Sequence, residues 1–244
     1  MKIMFLDIET SPNVVFSWRT GFKLSIMPDN IIEERKIICA CWKWADQKTV
    51  YSAHWGREKQ DDKELLIKLS KEIKKADVVI AHNGDRFDLK WINGRLLLNN
   101  LPPIGKVNSE DTLTMSRRAF NLNSHKLDYL GEVLGVGRKL DTGFSLWKNI
   151  ILNKSQKALT KMVDYCKQDV VLLENVYNKL SPHVVHKVNK AILKGNSRYL
   201  ACKACGSTNV QKNGTRITSV GRYQRYQCQK CAHNFQDTRM IKVD

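Results

Sequence analysis

The sequence predicts an α/β domain built on a mixed central sheet, followed by a small module held together by cysteines. Three observations predict it. Short β-branched and aromatic runs near the N-terminal end give way to longer segments of helical periodicity. A hydrophobic content of 42% over 244 residues fills one sizeable core with room for a satellite. Two Cys-x-x-Cys pairs stand at 202–205 and 228–231, near the C-terminal end.

Residues 2–6 and Ile37–Trp44 are apolar runs bounded by polar residues and read as strands, with 49–53 a weaker third. Residues 61–76 follow with Leu65, Leu66, Leu69 and Ile73 at helical spacing. Val78–Ala81 is a further buried strand and Asp88–Leu98 a helix. Along 158–180, Leu159, Met162, Val163, Cys166, Val170, Leu173 and Val176 recur at intervals of mostly three and four, and Pro182 marks where that helix stops. Three strands before the first helix, then strand, helix and mostly helices, suit a mixed sheet covered by helices. Cys39, Cys41 and Cys166 read as small buried hydrophobes.

Forty-one basic against 24 acidic side chains give a formal charge of +17, which points to a polyanionic partner. Residues 181–244 carry +10 of it. The stretch 181–198 has no acidic residue and lies between Ser181-Pro182 and Gly195-Asn196-Ser197, so breakers mark both ends. The expected organisation is a domain over 1–184, a basic linker over 185–198 and a small module over 199–244. Val184, Val185, Val188, Ile192 and Leu193 leave room for a short helix near the linker. Apolar runs are only a few residues long, such as Leu96 to Leu98, where a membrane-spanning helix needs about 20. Asp7 and Glu9 interrupt the position a signal peptide's apolar stretch would take. Seven cysteines, four of them in metal-ligand spacing, suit a reducing compartment, so a cytoplasmic location is expected.

The first strand ends in Asp7-Ile8-Glu9, where alternation points both carboxylates to one side. Side by side they repel, and a hard divalent cation resolves the repulsion. A second cluster, His82-Asn83-Gly84-Asp85-Arg86-Phe87-Asp88, leads from a buried strand through a polar turn into a helix. His82 lacks a second His at ligand spacing and reads as structural or substrate-facing. In the late helix, Tyr165 and Asp169 are four apart and share a face.

Taken together, Asp7-x-Glu9, then Asn83 with Phe87-Asp88, then Tyr165-x-x-x-Asp169 resemble the three motifs of the DEDD superfamily of 3′ to 5′ exonucleases, in its tyrosine-bearing branch. Leu127-Asp128-Tyr129-Leu130 and Leu134-Gly135 resemble that family's middle helix and turn. Asp7 to Pro12 and Asn83 to Leu89 are most similar to small stand-alone members often carried by phages. The resemblance covers about residues 1 to 180 and implies an RNase H-like fold with a mixed five-stranded sheet flanked by helices. The 64 residues that follow leave no room for a polymerase, so proofreading within one chain is not expected.

What the resemblance implies is a two-metal hydrolase that releases 5′-mononucleotides from a 3′ end. Asp7 would bridge two Mg²⁺ or Mn²⁺, Glu9 and Asp169 complete the site for the nucleophile, and Asp88 the site facing the leaving group. Tyr165 would orient the attacking water, since a phenol of pKa near 10 is a poor base at neutral pH. Asn83 would hold the terminal nucleotide. Single-stranded DNA is the expected substrate, with RNA the alternative, because a 2′-hydroxyl contact depends on pocket shape.

Cys202-x-x-Cys205, 22 residues and Cys228-x-x-Cys231 form a ligand set for one structural Zn²⁺ and resemble a zinc ribbon of the kind found in transcription and transposition proteins. Arg216, Arg222, Tyr223, Arg225 and Tyr226 lie between the knuckles, basic groups interleaved with aromatics that suit phosphate contacts and base stacking. The tyrosines could instead cover a core too small to fold without metal. The ribbon would tether nucleic acid, or else a protein partner. Two rival readings share the core: an integrase- or transposase-like nuclease with no use for Tyr165, and an inactive nucleic-acid-binding adaptor.

Overall fold

The computed structural model describes residues 1–21, 23–56, 59–139, 142–196 and 200–241. Residues 197–199, where the expected linker meets the C-terminal module, lie outside the described residues.

Strand β1 (Ile3–Thr10) is the axis of the main sheet. A short β2 (Val14–Val15) pairs with β3 (Ile31–Glu33), and the main sheet continues in β4 (Ile37–Trp44) and β5 (Val50–His54). After α1 (Lys63–Ile73) come β6 (Val78–Ala81), α2 (Asp88–Leu98) and β7 (Ser109–Asp111). The sheet order is β5-β4-β1-β6-β7, antiparallel at β5-β4-β1 and parallel at β1-β6-β7. Helices α3 (Thr112–Ala119), α4 (Leu127–Val133), α5 (Ser145–Ile151) and α6 (Gln156–Leu180) complete the larger unit. The expected mixed five-stranded sheet with flanking helices is thus the observed one.

Alternation along β1 divides two cores. Met4, Leu6 and Ile8 pack with α1 and α2 on one face. Phe5 packs with α6 on the other, and Asp7 and Glu9 share Phe5's side by strand periodicity. Strand β4 is buried throughout because both faces are covered, and even Lys43 is accommodated by a 2.6 Å ion pair with Glu174 of α6.

Strand β7 has no hydrophobic signature, and its Ser-Glu-Asp sequence is held by polar partners. Asp111 Oδ1 caps α3 by accepting the N–H groups of Leu113 and Thr114. The same oxygen accepts the Asn83 N–H at 3.0 Å, which fixes the turn between β6 and α2. Asn83 takes the left-handed conformation in that turn, at φ 68°.

Below the sheet, Asp62 is fully buried and accepts hydrogen bonds from Arg95 Nε (2.7 Å), Arg95 Nη2 (2.9 Å) and the Ile37 N–H (3.0 Å). This bidentate pair ties the start of α1 to α2 and β4.

The C-terminal module is a three-stranded antiparallel sheet, β8 (Val210–Thr218), β9 (Gly221–Cys228) and β10 (Asn234–Met240), with β9 central. Within the segment expected as a linker stands a short helix, α7 (Lys190–Leu193). Lys190 is 1% exposed, and its Nζ donates to Glu110 Oε2 of β7 and to the Tyr177 hydroxyl of α6, both at 2.7 Å. His186 Nδ1 meets Glu110 Oε1 at 2.9 Å. Burial alone would raise the Glu110 carboxyl, but the His186 and Lys190 contacts outweigh it and hold it down at about 2. On the other side, the Lys190 N–H donates to the Lys203 carbonyl inside the first cysteine knuckle, and His233 donates from Nδ1 to the Pro182 carbonyl. The module is therefore docked on the larger unit through buried charge.

Arg95→Met should be strongly destabilising, by about 3–5 kcal/mol, because it strands the buried Asp62 carboxylate without its partner. Urea denaturation monitored by tryptophan fluorescence measures this. A loss under 1 kcal/mol would mean that Asp62 is not held as an ion.

Candidate active site

Four carboxylates from three elements meet at the carboxyl end of β1. Oxygens of Asp7, Glu9 and Asp169 lie within 4.8 Å of one another. Asp88 stands beside them at the start of α2, and its Oδ1 accepts the N–H of Ile8, the residue between Asp7 and Glu9, at 3.1 Å. Asp169 is fully buried on α6, and its Oδ1 has no hydrogen-bond partner among the described residues.

Crowding and burial raise the pKa of all four. Desolvation is the largest cause for Asp7, with Glu9, Asp88 and Asp169 adding to it. Glu9 is pushed up to about 8 and Asp88 to about 7, again chiefly by burial. Burial also raises Asp169, against the opposing pull of Lys139. These are hard oxygen donors with more charge than the protein neutralises, which is the donor chemistry of a Mg²⁺ or Mn²⁺ site.

Lys139 was not singled out from the sequence. Its Nζ donates to Asp169 Oδ2 at 2.5 Å and to the Tyr165 hydroxyl at 3.2 Å. Burial would lower its pKa, but Asp169 and Asp7 outweigh that and keep it charged. A basic pair, Arg138-Lys139, between the second and third acidic motifs was the one available hint. Tyr165 sits one helical turn before Asp169, with its hydroxyl raised to about 12, mainly by burial. It keeps its proton at neutral pH. His82 is held neutral, its pKa lowered to about 4 by burial, and its Nδ1 bonds Thr112 Oγ1 at 2.9 Å. His82 is thus part of the scaffold of the turn. Cys166, next to Tyr165, places Sγ 3.5 Å from Asp7 Oδ2 and, with Cys39 and Cys41, is completely buried.

The second candidate site is the cysteine cluster. Cys202 Sγ is 3.6 Å from Cys231 Sγ, Cys205 Sγ is 3.6 Å from Cys228 Sγ, and all four sulfurs fall within 4.8 Å of one another. Tetrahedral thiolate ligation with Zn–S near 2.3 Å needs sulfurs about 3.8 Å apart, so the set fits Zn²⁺. Of the residues between the knuckles, Arg216, Arg222 and Arg225 are exposed and Tyr223 is half-buried. Tyr226 is buried and stacks on Phe235 at 5.8 Å, so the expectation that it stacks on bases gives way to a packing role in a core of very few residues.

The sequence pattern of the RNase_H superfamily matches residues 32–181, more than half of the chain. The chain belongs to the RNase_H superfamily. The matched stretch includes Asp88, Tyr165 and Asp169, and Asp7 and Glu9 join that RNase_H frame through the pairing of β1 with β4 and β6. A stretch of 67 residues is 45% identical to DNA polymerase III PolC-type of Ureaplasma parvum serovar 3, covering 28% of this chain and 4% of that protein. The family B DNA polymerase of the hyperthermophilic archaeon Pyrobaculum calidifontis superposes with a TM-score of 0.56 at 15% identity, over 74% of this chain and 24% of that one, a likeness of fold. The chain therefore spans a small part of each of these proteins. Among the described residues no helix is long and apolar enough to cross a membrane.

Glu9 and Asp88 have folded-state pKa values above their unfolded ones, so the folded RNase_H core binds more protons than the unfolded chain between about pH 4 and 8. Stability without divalent cations should fall as pH rises through that window. Glu9→Gln should flatten the fall, and millimolar Mg²⁺ should stabilise the wild type more at pH 8 than at pH 6. Thermal denaturation at both pH values checks this; equal Mg²⁺ effects would count against a cation site there.

Proposed function

We propose that this chain is a metal-dependent 3′ to 5′ exonuclease of the tyrosine-bearing DEDD type, acting on single-stranded nucleic acid and releasing 5′-mononucleotides. The observation that carries the reading is the meeting of Asp7, Glu9 and Asp169 within 4.8 Å, with Asp88 pinned to the backbone between the first two. Asp7, Glu9, Asp88 and Asp169 would hold two Mg²⁺ or Mn²⁺, which when bound supply Lewis-acid activation of water and of the leaving 3′ oxygen.

The chain's own groups then have distinct tasks. Tyr165 keeps its proton, so it orients a water by hydrogen bond and does not act as the base. Lys139 bridges Tyr165 and Asp169 and fixes their relative position while supplying positive charge to a crowded set of acids. Asn83, in the turn that leads into Asp88, would hold the terminal nucleotide. Residues 1–184 would form the catalytic unit and 199–244 the zinc ribbon, with one structural Zn²⁺ on Cys202, Cys205, Cys228 and Cys231. Arg216, Arg222, Arg225 and Tyr223 would contact nucleic acid, in keeping with a net charge of +17.

Asp7→Ala should abolish cleavage and leave the fold intact, because removing one of four crowded carboxylates relieves repulsion. Incubation with 3′- and 5′-labelled single strands of DNA and RNA, with Mg²⁺ or Mn²⁺, reads the end attacked, the sugar preferred and the products. A folded Asp7→Ala protein with metal-dependent turnover near wild type would falsify the site.

Tyr165→Phe keeps the ring and loses only the positioning hydroxyl, a change expected to cost about 10² in single-turnover rate. An unchanged rate would favour an integrase-like nuclease, in which this tyrosine has no task.

Cys228→Ser should lower the zinc content of purified protein, and the ribbon's thermal stability with it, because three thiolates hold the ion less well. Full-length protein purified under reducing conditions without zinc would remove the ribbon assignment.

A further inference from the structure

Two cavities meet at the seam between the larger unit and the ribbon. The larger, about 550 Å³, is lined by Asp85 of the turn before α2, by Glu110 and Asp111 of β7, by Arg118 of α3, and by Val185, His186 and Lys187. The smaller, about 280 Å³, is lined by Val185 and His186 again and, from the ribbon, by Lys203, Arg216, Arg225 and His233. Sharing Val185 and His186, they adjoin as two halves of a cleft divided at Val185. Its inner end reaches Asp111, whose Oδ1 holds the Asn83 N–H in the turn leading to Asp88.

The cleft is built, because both walls are fixed. His186 is clamped by Glu110 Oε1 at 2.9 Å and by Ser181, and packs edge-on against His233 of the ribbon with ring centroids 5.2 Å apart. Lys190 anchors the same junction from below. Along the cleft stand Arg118, Lys187, Lys203, Arg216 and Arg225, and of the three carboxylates in its lining Asp85 is engaged by Lys187 at 3.2 Å in an exposed pair that salt screens, Glu110 by His186 and Lys190, and Asp111 Oδ1 by backbone N–H groups. On the ridge between the cavities Val185 is 91% exposed. Met115 and Ala119 in the larger cavity and Phe235 in the smaller add further apolar surface, and apolar groups interleaved with cations suit the faces of bases or sugars flanked by phosphates.

We propose that this cleft is the track of the single strand upstream of its 3′ end, with the five cations on successive phosphates and Val185 against a base. The proposal rests on the nuclease reading for its direction and on the docked ribbon for its geometry. It makes the ribbon a wall of the substrate groove rather than a loose tether.

The test is binding of a 20-nucleotide single strand, DNA and RNA in parallel, without added Mg²⁺ at several salt concentrations, for wild type, Arg216→Glu/Arg225→Glu and Val185→Asp. Zinc content and melting temperature confirm that each protein is folded, and Val185 is too exposed for its replacement to disturb packing. The double variant should bind about tenfold more weakly, with a salt slope shallower by about 1.4, from about 0.7 per phosphate contact on a single strand. Val185→Asp should weaken binding severalfold. In hydrolysis, the ratio of kcat/KM for the 20-mer to that for a dinucleotide should fall about tenfold in the double variant. Wild-type Kd and salt slope in both variants would overturn the track, whatever hydrolysis shows. Tight, variant-sensitive binding without metal-dependent hydrolysis would overturn the nuclease reading and leave the track standing.

Discussion

Four carboxylates share one desolvated space at the end of β1, and the surrounding architecture can be read as the means of keeping them there. Each would relax outward if it could. Asp7 and Glu9 are held by the central strand, which pairs with β6 up to Phe5 and with β4 at Asp7 and Glu9 themselves. Asp88 is held by the Ile8 N–H. Asp169 is held because α6, at 25 residues, carries a continuous apolar face against the sheet. The repulsion stored among them is the counterpart of affinity for divalent charge, since a site relaxed without cations would gain less from them.

Lys139 shows how that stored repulsion is kept tolerable. One ammonium placed against Asp169 and Tyr165 offsets part of the field without filling the cluster. It reaches the site from outside every acidic motif, so no residue spacing announces it. Charge compensation depends on where loops return in space, and that information is distributed over the whole fold.

The sheet and the site were legible in the sequence to different depths. Strands β1, β4 and β6 declared themselves through apolar runs, and α6 through its periodicity. Strand β7 did not, because Ser109, Glu110 and Asp111 are buried by virtue of hydrogen bonds and ion pairs, which leave no hydrophobic trace. The four carboxylates were visible as a conjunction of short motifs, each unremarkable alone. Lys190 looked like one more base in a charged stretch, and only its partners from β7 and α6 account for its burial. Tyr226 illustrates the reverse limit, since an aromatic beside arginines reads alike whether it faces solvent or Phe235.

Three consecutive residues of β7 look in alternate directions, and each serves a different part of the molecule. Ser109 and Asp111 face the turn at 83–85, where they bond Asp85 and Asn83, while Glu110 faces α6 and α7. A slip of one residue in this edge strand would exchange those faces, sending the anchor of the C-terminal module toward the turn at 83–85 and the support of that turn toward the module. β7 therefore admits neither insertion nor deletion, although it is the shortest strand of its sheet, and the loop before it is itself fastened by Leu101, Ile104 and Val107 in the core.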